Sequence, residues 1–206
     1  FLDHHLDIAL VGTLAKLIDA EGSTFDYRKS PTDPAVIKFA LLFGNPITHS
    51  SIMARKSVLL ELGGYNENFR YAQDFDLYSR LVQKYQIAVL PEILVKYRRH
   101  QQSITLHQDS RESANKLAQQ TIVTNMQRYL GSQARARTLA QALNKKSTVS
   151  KWKLWQSIFL LRRLWQKYQQ QESLPPQIAV RLHPFYRQYM KTIIKRFLRP
   201  APPLQK

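Results

Sequence analysis

A change of periodicity near residue 107 limits what this chain can build. Before it, short apolar runs alternate with helix-spaced segments, each closed by Gly or Pro. After it, every apolar pattern repeats at three and four residues. The first half therefore predicts an α/β unit and the second a mainly helical one. Charge changes at the same place. Residues 1–106 carry 12 Lys and Arg against 11 Asp and Glu, whereas residues 107–206 carry 19 against 3. Nearly all of the net charge of +17 belongs to the helical half, so a polyanionic partner is to be sought there.

The expected division is thus 1–106 and 107–206. A hydrophobic content of 44% suffices for a core. With no cysteine, disulfide frameworks, thiolate metal sites and cysteine nucleophiles are excluded, and a reducing compartment fits. The chain opens without Met, shows no basic-then-apolar leader and reaches a strand by Ile8, which reads as a piece beginning partway through a domain. No apolar run approaches the 18 or so residues that span a bilayer.

Locally, residues 7–18 and 24–27 predict strands about a turn at 19–23. Asp33-Pro34 predicts a helix start, with Asp33 as N-cap and the helix running to about Phe43. Residues 47–54 read as extended. Residues 56–62 predict a short helix closed by Gly63-Gly64 in a left-handed cap. Residues 74–85 predict a helix, and two strands, 87–90 and 93–97, flank Pro91-Glu92. Helices are expected at 110–129, 134–143, 151–171 and 185–198, with Pro175-Pro176 as a break.

Within the first half, a series of short motifs follows in order. They are Gly44-Asn45-Pro46, His49-Ser50-Ser51 through Lys56, Gly63-Gly64-Tyr65-Asn66-Glu67-Asn68-Phe69, Ala72-Gln73-Asp74-Phe75-Asp76-Leu77, Leu90-Pro91-Glu92 and Tyr97-Arg98-Arg99-His100. In this order and spacing they resemble the latter half of the catalytic domain of bacterial family 2 glycosyltransferases, over roughly residues 1–105. Asp7-Ile8-Ala9-Leu10-Val11-Gly12-Thr13 is similar to the family's segment just after its metal-binding motif. The resemblance implies a partial GT-A, Rossmann-like fold whose nucleotide-binding part lies upstream of Phe1.

It also implies roles. Asp74 matches the family's catalytic base, with Gln73 where Glu is commoner. Inverting sugar transfer needs such a base, because the acceptor hydroxyl loses its proton as it attacks the anomeric carbon. A carboxylate in the first turn of a helix also interacts favourably with the dipole. The plainer reading is that Asp74 only caps that helix. Asp74-Phe75-Asp76 has the spelling of an Asp-x-Asp metal motif. Side chains two apart on a helix point about 200° from each other and cannot close on one ion. Asp76 is therefore expected to pair with Arg80, and no metal ligand is assigned in this chain.

His49 and Ser50 are expected on a strand facing the substrate cleft. Arg98 and His100 are expected near the departing nucleotide diphosphate. For these, a satisfied histidine and a solvated basic loop are the plain alternatives. The implied partners are a nucleotide-sugar donor and a saccharide or lipid-linked acceptor. A Mg²⁺ or Mn²⁺ ion is implied, held by an Asp-x-Asp upstream, so the piece alone is expected to be inactive.

In residues 151–171, Trp152, Trp155, Ile158, Phe159, Leu161, Leu164, Trp165 and Tyr168 form an apolar stripe flanked by Lys and Arg. It suits an anionic membrane surface, which would make the protein cytoplasmic and peripheral on the inner face. It equally suits packing on the α/β unit. Nucleic acid is disfavoured, since no nucleic-acid motif accompanies the charge. A non-catalytic basic binding module is the alternative to the transferase reading.

Overall fold

The computed structural model describes residues 1–99 and 108–198. They form two compact units, Phe1–Ile122 and Val123–Lys206. The expected boundary at 106–107 falls outside the described residues.

The first unit is built on a mixed four-stranded sheet: β1 (Ile8–Ile18), β2 (Thr24–Arg28), β3 (Met53–Ala54) and β4 (Gln86–Arg98). β1 is central. It pairs in parallel with β4 along its length, and antiparallel with β3 at Leu10 and Val11 and with β2 from Ala15 to Ile18. Its near-continuous apolar run follows from that position, because a strand covered on both faces has no polar side to alternate with. Ile8, Leu10 and Ala15 are buried there against Ile87 and Val89 of β4. The two strands expected about Pro91-Glu92 are one strand. The sequence break survives as a register shift, since Thr13 pairs with Leu90 and Leu14 with Ile93.

Helices α1 (Pro34–Ala40), α2 (Lys56–Glu61) and α3 (Gln73–Leu81) complete the core, contributing Ile37, Phe39, Val58, Phe75, Leu77, Tyr78 and Leu81. Asp33 caps α1 by accepting from the backbone N–H of Ala35 and Val36. After α2, Gly63 and Gly64 take φ of 75° and 66°, the conformation that favours glycine. The extended stretch expected over 47–54 is corrected. It is a single 3₁₀ turn (His49–Ser51) followed by the two residues of β3. The turn is held by Ser51, whose Oγ accepts from Thr13 N at 3.1 Å and lies 2.8 Å from the Thr48 carbonyl. Ser51 thereby serves β1 where it has neither β2 nor β3 as neighbour. The fit is close: a Cβ on Gly12 would lie 3.2 Å from Ile47 Cγ2.

Helix α4 (Gln108–Leu130) begins in the first unit, where Ser110 Oγ is 3.1 Å from Tyr71 Oη, and ends in the second. There it is followed by α5 (Gln133–Leu143), α6 (Lys151–Gln171) and α7 (Pro176–Leu198). Ser132 and Ser150 cap α5 and α6. The final helix starts nine residues earlier than expected. Pro176 occupies its first position, where a missing N–H costs nothing, and Pro184 is accommodated inside it. Near its end, Arg196 donates to the carbonyls of Gln141, Ala142, Asn144 and Ser147, so one guanidinium satisfies the end of α5.

The expected single stripe on α6 is two faces. Leu154, Ser157, Leu161, Leu164 and Tyr168 are buried, whereas Trp152, Trp155 and Phe159 are exposed. At about 100° per residue the two sets centre on opposite sides of the helix, although both recur at three- and four-residue steps.

The core of this unit is rich in phenols. Tyr129 donates to Glu172 Oε1 at 2.7 Å, and its ring lies 5.2 Å from that of Tyr168. Burial raises the pKa of Tyr129, with the Glu172 hydrogen bond adding to it. Burial likewise raises that of Tyr168 and pushes Tyr189 up to about 12. A phenol whose pKa is raised by folding contributes its stability below the ordinary value of about 10 and loses it as pH rises beyond that. The melting temperature is therefore expected to hold between pH 7 and 9 and to fall by several degrees per unit above about pH 10. The double variant Tyr129→Phe, Tyr168→Phe should fall less steeply. Circular dichroism melts across the alkaline range check this.

Candidate active site

Gln73, Asp74 and the turn before them are set by an unusual backbone. Ala72 precedes α3 with φ 56° and ψ 22°, a left-handed conformation worth about 1 kcal/mol of strain in a non-glycine residue. Its carbonyl accepts the first helical bond, from Asp76 N, so Ala72 and not Asp74 is the N-cap. Asp74 sits two positions further in, at the second residue of α3. Its Oδ1 takes the N–H of Phe75 at 2.8 Å, and its Oδ2 takes the Nδ2 of Asn45 at 2.8 Å. Asn45 is itself held, because its Oδ1 accepts from Ile47 N at 2.9 Å. With the amide oxygen so used, the NH₂ is aimed at Asp74.

Three aromatic groups surround this pair. His49 Nδ1 lies 2.8 Å from Tyr78 Oη, and the edge of Tyr65 meets the His49 ring at 5.8 Å between centroids. Burial raises the pKa of both Tyr78 and Tyr65, and the negative charge of Asp74 raises each further. Both phenols thus keep their protons beside a carboxylate. Either member of the His49–Tyr78 pair can donate, and the imidazole tautomer follows from which does. The exposed His49 Nε2 has no hydrogen-bond partner among the described residues.

The loop that supplies Tyr65 is anchored from α3. Arg80 donates to Asp76 Oδ2 at 2.9 Å, and to the carbonyls of Leu62 and Gly64 at 2.6 and 2.8 Å. The expected Asp76–Arg80 pair is present, and it ties the glycine turn to the helix that carries Asp74.

The remaining predicted residues are dispersed. Ser50 is exposed on the 3₁₀ turn, and Gln73 is half-buried at the first position of α3. Neither side chain makes a hydrogen bond among the described residues. Arg98, at the end of β4, donates to the carbonyls of Asp19 and Ala20 and braces the β1–β2 turn. It has no bond to Asn45, His49 or Asp74. His100 lies outside the described residues. The residues that sequence reasoning left without a role are Asn45 and Tyr78, while Tyr65 was expected only to shape the loop leading to Asp74. For Asn45 the signal was present, because an Asn that bonds the N–H two residues on is an ordinary turn device. That its other end meets a residue 29 positions away was not.

No group of three His, Cys, Asp or Glu that could hold a metal ion exists among the described residues. Asp76 is committed to Arg80, and Asp74 to Asn45 and Phe75 N. No helix among the described residues is long and apolar enough to cross a membrane.

Comparison with known proteins shows the family. Residues 4–152 match the family described as glycosyltransferase-like family 2. An "uncharacterized glycosyltransferase" of Haemophilus influenzae is 32% identical over 109 residues, which are 52% of this chain and 34% of that protein. The "O-antigen biosynthesis glycosyltransferase WbnJ" of Escherichia coli is 32% identical over 100 residues, 47% of this chain and 39% of that protein. The matches thus span little more than a third of either relative. The mixed α/β unit followed by helices is the partial GT-A organisation that the family match supports.

Proposed function

We propose that this chain, which belongs to the glycosyltransferase-like family 2, carries the base and acceptor side of an inverting sugar-transfer site. The observation that supports this best is the carboxylate of Asp74, half-buried and held by the Asn45 amide among Tyr65, Tyr78 and His49. In the reaction, an acceptor hydroxyl oxygen attacks the anomeric carbon of a nucleotide-sugar and forms the new glycosidic bond. The bond from that carbon to the diphosphate oxygen breaks, and the nucleoside diphosphate leaves with the electron pair. The hydroxyl proton passes to Asp74. Two protonated phenols nearby keep the site polar without offering a competing base.

His49 and Ser50, exposed on the 3₁₀ turn, and Gln73, half-buried at the start of α3, are proposed to contact the sugars. Arg98 and His100 are proposed to meet the diphosphate end. For Arg98 that requires the guanidinium to share its donors with the β1–β2 turn. The acceptor is proposed to be a saccharide or lipid-linked saccharide of surface polysaccharide synthesis, in keeping with the O-antigen role in the name of the E. coli relative. A Mg²⁺ or Mn²⁺ ion, supplying charge neutralisation at the diphosphate, is proposed for the full-length enzyme, with its ligands outside the residues described. The helical region is proposed to rest on an anionic membrane face on the cytoplasmic side.

The test uses the protein of the complete reading frame with a panel of nucleotide-sugars. Release of nucleoside diphosphate that depends on a saccharide acceptor is expected, with the anomeric configuration of the product inverted by NMR. Retained configuration would overturn the single-displacement chemistry, and no release with any donor would overturn the transferase reading.

A further inference from the structure

The exposed side of α6 is a second apolar surface, unpartnered among the described residues. Trp152, Trp155 and Phe159 are 63%, 43% and 49% exposed, on the side of the helix opposite the face packed into the unit. They form one ledge. The Trp152 and Trp155 rings stack at 5.0 Å, and Phe159 meets Trp155 edge-on at 4.6 Å. Exposed Lys151 and Arg163 border the ledge on its two edges, at about 40° and 20° of helix rotation from the nearest ring. Isolated exposed apolar residues need no explanation, but a contiguous aromatic patch rimmed by cations does.

Charge then selects the partner. Residues 123–206 contain 17 Lys and Arg and a single acid, Glu172, which accepts from Tyr129. Nothing within the unit offsets the cationic field around the ledge. Indole and phenyl rings flanked by Lys and Arg suit the headgroup level of an anionic bilayer, where rings enter the acyl boundary and cations meet phosphates. A nucleic acid would need open ring faces for bases to stack on. Here the Trp152 and Trp155 rings already stack on each other, and Phe159 meets Trp155 edge-on.

We propose that the Trp152–Trp155–Phe159 ledge of α6 is the membrane-docking surface, seated on anionic lipid with the helix lying in the interface plane. This deepens the membrane placement proposed above and is independent of the transfer chemistry, since it is read by lipid binding without donor or acceptor.

The full chain is sedimented with vesicles of phosphatidylcholine alone and of phosphatidylcholine with phosphatidylglycerol in equal parts. Partition onto the anionic vesicles is expected, with a blue shift of indole emission and weakening as salt rises. The triple variant W152S/W155S/F159S should lose more than about tenfold in that partition. Its melting temperature and far-UV spectrum should stay unchanged, because all three positions are exposed. The pair K151E/R163E should lose binding while keeping every ring. Unchanged partition of the triple variant would overturn the proposal, as would equal binding of the wild type to neutral vesicles. So would absent lipid binding together with tight binding of a single-stranded oligonucleotide. Loss of vesicle binding with transfer intact in solution would count for the ledge and leave the assignment of Asp74 unaffected.

Discussion

Asp74→Asn in the full-length enzyme is expected to lower kcat by about 10²–10⁴-fold with little change in KM, the range that removal of a positioned base produces. The substitution is close to isosteric. Its amide can turn its oxygen toward Asn45 Nδ2 and keep the contact now made at 2.8 Å. Helix α3 should persist, because its N-cap is the Ala72 backbone and not the Asp74 side chain. The variant should therefore melt within a few degrees of the wild type and still bind donor. An amide cannot accept the proton of an attacking hydroxyl, and that is the difference the rate reports. Transfer at the normal rate by this variant would remove Asp74 from the role of base. A fall explained wholly by KM would make it a binding residue.

The second large effect is expected at Asn45. Asn45→Ala removes the donor that fixes Asp74 and the acceptor that holds Ile47 N. A base displaced by about 1 Å from its proton costs on the order of 10²-fold in rate, so kcat should drop by about that much. A merely structural role would also lower activity, so the informative variant is Asn45→Asp. It retains an acceptor for Ile47 N and places a second carboxylate within hydrogen-bond distance of Asp74. Two carboxylates so close cannot both ionise freely, and one pKa rises. The acid limb of the kcat profile should then move to higher pH by more than about one unit, with activity partly recovered in alkaline buffer. An unshifted profile would place Asn45 outside the control of the base.

What local chemistry specifies was legible along the chain. Asp33-Pro34 starts α1, and Gly63-Gly64 closes α2. The bounds of α6 follow from the apolar spacing over residues 151–171. Each depends on residues within a turn or two, where capping geometry and backbone sterics act. The ordered motifs from Gly44 to Arg99 likewise sufficed to place the family, because order and spacing are properties of the sequence itself.

Contacts that join distant residues were decided only by the tertiary structure. Residues 49–51 form a 3₁₀ turn and not a strand because Ser51 bonds Thr13, 38 positions away, where β1 lacks a strand neighbour. Arg98 is drawn to the carbonyls of the β1–β2 turn by the parallel pairing of β4 with β1. On α6, Leu161 and Phe159 belong to equally good helical series, and only the packing of α5 and α7 determines which is buried. The change at residue 107 in periodicity and charge thus marked where an α/β chain gives way to basic helices. The sequence carried that division because periodicity and charge are local. Which of Asp74's neighbours orients it, and which face of α6 meets the outside, depended on side chains brought together across the fold.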